Sequence, residues 1–218
     1  MNAHTPTATS SLRPTRTAAH CTVVTLALAG IAWVVRAIWE IRLAAAGMPA
    51  SGPPDQGNGQ HRPLTALEDS YHFVSALGDA CVVLCAVAFL LWLFRVRDNA
   101  QTLSGRPPHL AWPWVYLGWI IPIVNLWMPR GIIADAHHAL APGKRLPRVV
   151  NWWWGLWLVA FWCGAGLAAS GSRDDTINRA YTGVKWLLAS DAATVAAAVA
   201  GIFVVRALTA AQQRRVND

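Results

Sequence analysis

The stretch that decides the fold is WPWVYLGWIIPIVNLWMPR, Trp112 to Arg130. It is apolar and aromatic, yet Pro113, Pro122, Asn125 and Pro129 stand where an unbroken membrane helix carries Leu or Val. Proline has no backbone N–H, and its ring clashes with the preceding helical turn. Non-helical backbone survives at membrane depth only where protein or water covers it. The pattern predicts a re-entrant or interfacial segment over 112–130, bent at Pro122 and Pro129, with Asn125 bonding the freed backbone. A tilted, Pro-kinked fifth span is the alternative.

Hydrophobic segments flank this centre in pairs. Two precede it, at about 21–39 and 74–94, and two follow, at about 149–169 and 184–205. Each approaches the roughly 20 apolar residues a helix needs to cross the hydrocarbon core. The bulk composition agrees. The chain of 218 residues is 55% hydrophobic and 13% charged, with mean hydropathy +0.33, where a soluble domain is about 25% charged. The expected class is an all-α integral membrane bundle of four spans plus the central segment.

Charge sets the expected topology. The formal net charge is +7 (18 basic, 11 acidic). In a soluble chain this balance suggests nucleic acid. Here the basic residues gather at segment ends, as expected of cytoplasmic flanks facing anionic lipid, and no nucleic-acid motif is present. Arg13 and Arg16 precede the first segment, while Arg95, Arg97 and Arg106 follow the second. Arg130, Lys144, Arg145 and Arg148 follow the centre, and Arg206, Arg214 and Arg215 follow the last segment. A centre with both flanks on the cytoplasmic side satisfies these charges. It also puts both termini in the cytoplasm of a multi-pass cell-membrane protein. Residues 1–20 read as a disordered cytoplasmic tail and 206–218 as a basic one. Ile132, Ile133, Ala136 and Leu140 recur at helical spacing, predicting an amphipathic helix over about 131–141 along the membrane surface. The loop 40–72 and the stretch SGSRDDTINRAYTG read as connections. The tryptophans after Asn151 predict an interfacial helix end. Ala192, Ala196 and Ala200 predict a packing face.

Three ionisable residues fall within or beside apolar segments: Arg36, Asp79 and Asp191. Such groups cost several kcal/mol, about 2.5 to 3.5 each at a helix centre, unless paired or hydrated. A shared cluster, with Arg36 between the two aspartates, is geometrically possible. Its bland reading is a structural ion pair, with Arg36 paired locally to Glu40. Its functional reading is a proton or cation site. His137 and His138, beside Asp135, point about 100° apart on a helix and do not converge on a metal. Cys21, Cys81, Cys85 and Cys163 read as small buried hydrophobes. No HExxH, GxSxG, Walker or GxGxxG pattern occurs, so no catalytic, cofactor-binding or metal residue is assigned.

The run GWIIPIVNLWMPRGIIADAHHA, Gly118 to Ala139, resembles a bacterial, mainly actinobacterial, membrane family known as domain of unknown function 4328. The matching core is Gly118, Trp119, Pro122, Asn125, Leu126, Trp127 and Pro129. FRVRDNAQTL from Phe94 and NWWWGLW from Asn151 are similar to further family segments. The resemblance implies the architecture, from the first segment to the last, and no activity. The expected function is a non-enzymatic membrane protein. It would act through helix packing or contacts with the bilayer, a homo-oligomer or other membrane proteins. A channel or transporter component using the Arg/Asp cluster or the re-entrant segment is the alternative.

Overall fold

The computed structural model describes residues 12–57, 59–105, 113, 117–119, 121, 123–168 and 173–217, with backbone alone for 164–168. Trp112 and Pro122 lie outside the described residues, as does the start of the N-terminal tail. The described residues form helices α1 (Arg16–Ala46), α2 (Ala66–Ser104), α3 (Met128–Leu140), α4 (Arg148–Ala168), α5 (Arg173–Thr182) and α6 (Val184–Asn217). Their only β feature is an isolated bridge, Asp55 to His61.

Three of these helices are long and apolar enough to cross a membrane: α1, α2 and α6. At 1.5 Å per residue they are about 46, 58 and 51 Å long, against a hydrocarbon core of about 30 Å. All three overrun the expected segments. The predicted tail is helical from Arg16, and the predicted basic tail remains helical to Asn217. The count of three corrects the expected four. The segment near 149–169 does form a helix, α4. However, Asn151 and its tryptophans carry polar N–H groups that lower its hydropathy.

The helix ends follow local chemistry. Thr65 caps α2: its hydroxyl accepts from Glu68 N, and the Glu68 carboxylate accepts from Thr65 N, a reciprocal pair that satisfies two free donors. Gly105 ends α2 with φ 63°, a left-handed conformation that glycine adopts without steric cost.

The three long helices pack through small residues. Thr22 donates to Ala88 O at 3.0 Å, and Arg13 N donates to Asn99 Oδ1 at 2.9 Å. The start of α1 therefore lies beside the C-terminal half of α2, and the two run antiparallel. Leu26 lies against Gly201, Gly30 against Ala198 and Arg36 against Asp191, so α6 is also antiparallel to α1. Both described ends of the chain consequently sit at one end of the bundle. The α6 packing face is Ala193, Ala197, Ala198, Ala200 and Gly201. Ala192 is exposed and Ala196 half-buried, which corrects the predicted stripe. Pairing of Asp191 with Arg36 sets the rotation of α6.

Elsewhere α1 and α2 present apolar side chains outward, including Val24, Leu28, Ile31, Val34, Val83, Leu84 and Val87. An outward apolar surface of this kind suits hydrocarbon rather than water.

A main core joins Trp92, Leu93, Val96 and Ala100 of α2, Ile132, Ile133 and Leu140 of α3, Trp153 and Trp154 of α4, and Val204 and Leu208 of α6. The amphipathic helix exists, but its apolar face packs on protein, with Ile132 and Ile133 fully buried. The tryptophan cluster also contributes to this core. Trp153 and Trp154 are buried, while Trp152 is exposed. Trp153 stacks on Phe89 at 5.6 Å and Trp154 on Trp157 at 5.2 Å. Cys21 and Cys163 are exposed, contrary to expectation, and all four cysteines are free.

A second, smaller core of Leu43, Tyr71, Ile177, Ala180 and Leu187 closes the opposite end. There the 47–65 loop and α5, formed within the stretch read as a connection, cap the bundle.

Candidate functional site

Arg36 is the centre of a buried polar cluster. One turn on, Glu40 occupies the same face of α1, and Arg36 Nε donates to Glu40 Oε1 at 2.9 Å. Arg36 Nη2 stands 3.6 Å from Asp191 Oδ1 of α6. From α2, the Tyr71 hydroxyl donates to Glu40 Oε1 at 3.1 Å. The Trp33 ring covers the guanidinium, 4.0 Å from its carbon. Arg36 is 8% exposed, Asp191 2%, and Glu40 and Tyr71 not at all. One cation thus faces two carboxylates, and the cluster ties α1, α2 and α6 together.

Arg36 and Asp191 do meet. Asp79 does not join them: Gly78 faces the bundle interior, and Asp79, about 100° further round α2, is exposed. Glu40 takes its place. Tyr71 was missed, because a tyrosine just before an apolar run gives no signal of its own.

The cap above this cluster is polar and latched. Arg62 grips Glu68 with two bonds, Nη1 to Oε2 at 2.8 Å and Nη2 to Oε1 at 2.6 Å. The Tyr181 hydroxyl of α5 donates to the same carboxylate at 3.0 Å. The bond to Glu68 raises the Arg62 guanidinium above its ordinary value, keeping it charged. Burial, then the bond to Glu68, pushes the Tyr181 hydroxyl up to about 12. His61 Nδ1 meets Asp174 at 2.6 Å, and Arg173 pairs with Asp69. The long-range partners of Glu68 gave no local signal in the sequence.

The central motif plays a packing role. Helical bonds run from Leu117 N to Pro113 O, Ile121 N to Leu117 O and Asn125 N to Ile121 O. A tight 3-10 turn at Val124–Leu126 then leads into α3. A Cβ on Gly118 would lie 2.8 Å from Met128 Cγ, so the residue is small where the two segments meet. Trp119 packs edge-on against Phe89 and Trp157 at 5.7 and 5.6 Å. Pro129 sits in the first turn of α3, where no N–H is required; it starts a helix rather than breaking one. Leu126 and Trp127 are exposed. Asn125 is 1% exposed, and neither side-chain polar atom has a partner among the described residues; Pro122, beside which its amide was expected to bond, lies outside them.

His137 is buried and His138 exposed, with ring centroids 5.8 Å apart. Burial lowers His137 below its ordinary value, with His138 and Lys144 adding to the effect. Among the described residues no group of three potential metal ligands converges.

A family model described as Domain of unknown function (DUF4328) matches residues 61–210. The match takes in Glu68, Tyr71, the central motif and Asp191, and begins after α1, a narrower extent than the resemblance implied. No curated protein and no solved structure matches the chain.

Proposed function

The chain belongs to the DUF4328 family, and on that basis we propose a non-enzymatic multi-pass protein of a bacterial cell membrane. It acts through helix packing and contacts with copies of itself or other membrane proteins. The observation that carries this reading is the Arg36 cluster. Its charges meet one another across α1 and α6 beneath a latched cap, which suits a clamp that fixes helix positions. In this reading α4 makes the return crossing from the basic end to the cap, so both described ends of the chain lie at the basic end, which faces the cytoplasm.

A second reading, a channel or transporter component, draws on the excess carboxylate in the cluster. A buried net negative charge calls for a proton or cation. Reconstitution into vesicles separates the two. The clamp reading expects no proton or cation flux from wild type, and a lower melting temperature in Asp191→Asn. Flux that Asp191→Asn abolishes while melting is unchanged would overturn it in favour of the second reading.

A further inference from the structure

At the end of the bundle opposite the cap, a groove of about 390 Å³ opens between the first turns of α1 and the last third of α6. Arg16, His20, Arg206 and Gln213 supply its polar lining, and Val23 and Val205 its apolar walls. Among the described residues no acidic side chain lines it. Among the described residues Arg16, His20 and Arg206 form no ion pair.

Thr209, 8% exposed, also lines the groove. Its oxygen accepts from the buried Trp92 Nε1 at 3.2 Å, which ties this wall of the groove to α2. Among the described residues the groove therefore offers cationic side chains without a competing carboxylate, the chemistry that binds phosphate.

Its depth is also informative. His20 immediately precedes the apolar run of α1, and Arg206 immediately follows that of α6. In a bilayer this level is the headgroup layer. Away from it both helices continue into exposed apolar residues, Val24 and Leu28 on α1 and Val199 and Phe203 on α6.

We propose that the groove between α1 and α6 binds the phosphate headgroup of an anionic phospholipid, with Arg16 and Arg206 as its principal contacts. The apolar walls and the position at the edge of the apolar runs favour a lipid over free phosphate.

The test uses the purified full chain in detergent, titrated with phosphatidylglycerol, phosphatidylcholine or inorganic phosphate. Bound lipid is counted by native mass spectrometry, and helix content is checked by circular dichroism. Phosphatidylglycerol should be retained over phosphatidylcholine. Arg16→Gln and Arg206→Gln should each weaken it about fivefold, the contribution of one basic residue near anionic lipid. Arg206→Lys should retain most of the binding, and Arg214→Gln with Arg215→Gln should change little. Equal weakening by that tail pair would show diffuse charge and overturn the proposal. Unchanged binding in the groove variants would also overturn it, as would inorganic phosphate displacing the lipid at equal concentration.

Discussion

Arg36 Nη2 of α1 stands 3.6 Å from Asp191 Oδ1 of α6, both side chains at most 10% exposed. The contact sets which face of α6 meets α1. Removing the cation leaves Glu40 and Asp191 buried together. Arg36→Met should therefore destabilise the bundle by about 3 to 5 kcal/mol, the cost of breaking a buried pair. Adding Glu40→Gln and Asp191→Asn should restore most of that loss. Thermal melting in detergent reads both, and a triple variant no more stable than Arg36→Met would contradict a charge-based clamp.

Gly118 and Met128 meet so closely that a methyl group cannot be added without displacement. Gly118→Ala should cost about 1 to 3 kcal/mol, the range for overpacking. Met128→Ala in the same chain should relieve much of it. A Gly118→Ala melt indistinguishable from wild type would argue against this approach.

The cap should open when its latch is cut. Glu68→Gln leaves Arg62 without its bidentate carboxylate and Tyr181 with a weaker acceptor. Hydrogen exchange across 173–182 should accelerate while exchange in α6 stays slow. Uniform acceleration through both helices would mean that α5 is not a separable cap.

His137 gives the fold a pH dependence of known sign. Its folded value lies below the ordinary histidine value, so below about pH 6.5 the unfolded chain binds more protons. Its contribution is present above that pH and is lost as pH falls through the lower folded value. Melting temperature should thus drop more from pH 7 to 5 in wild type than in His137→Gln. Equal drops would remove His137 as the cause.

Much of this architecture was legible in the chain. The long apolar runs marked α1, α2 and α6, and the 3.6-residue spacing of Ile132, Ile133, Ala136 and Leu140 marked α3. The surroundings of each face were not legible. Periodicity says that one side of α3 is apolar, without saying whether lipid or α2 covers it. The same limit applies to Trp153 and Trp154, whose rings suit an interface or an aromatic core equally well. In the polar cluster, Arg36 and Asp191 were conspicuous as charges in apolar runs. Asp79 was equally conspicuous, and only the rotation of α2, set by Tyr71, Ser75 and Gly78 facing inward, turned it out. The Arg62, Glu68 and Tyr181 latch joins residues too distant in sequence for local patterns to connect.

The central stretch leaves α2 after Ser104 and returns in α3, whose apolar face packs on Trp92, Val96 and Ala100. Single cysteines at Thr102 and at Ala141, in a chain with Cys21, Cys81, Cys85 and Cys163 replaced, test its topology directly. Both should react with a membrane-impermeant thiol reagent from the same face, the one that labels a cysteine at Arg13. Labelling from opposite faces would show that 112–130 crosses the membrane, and would contradict the re-entrant arrangement.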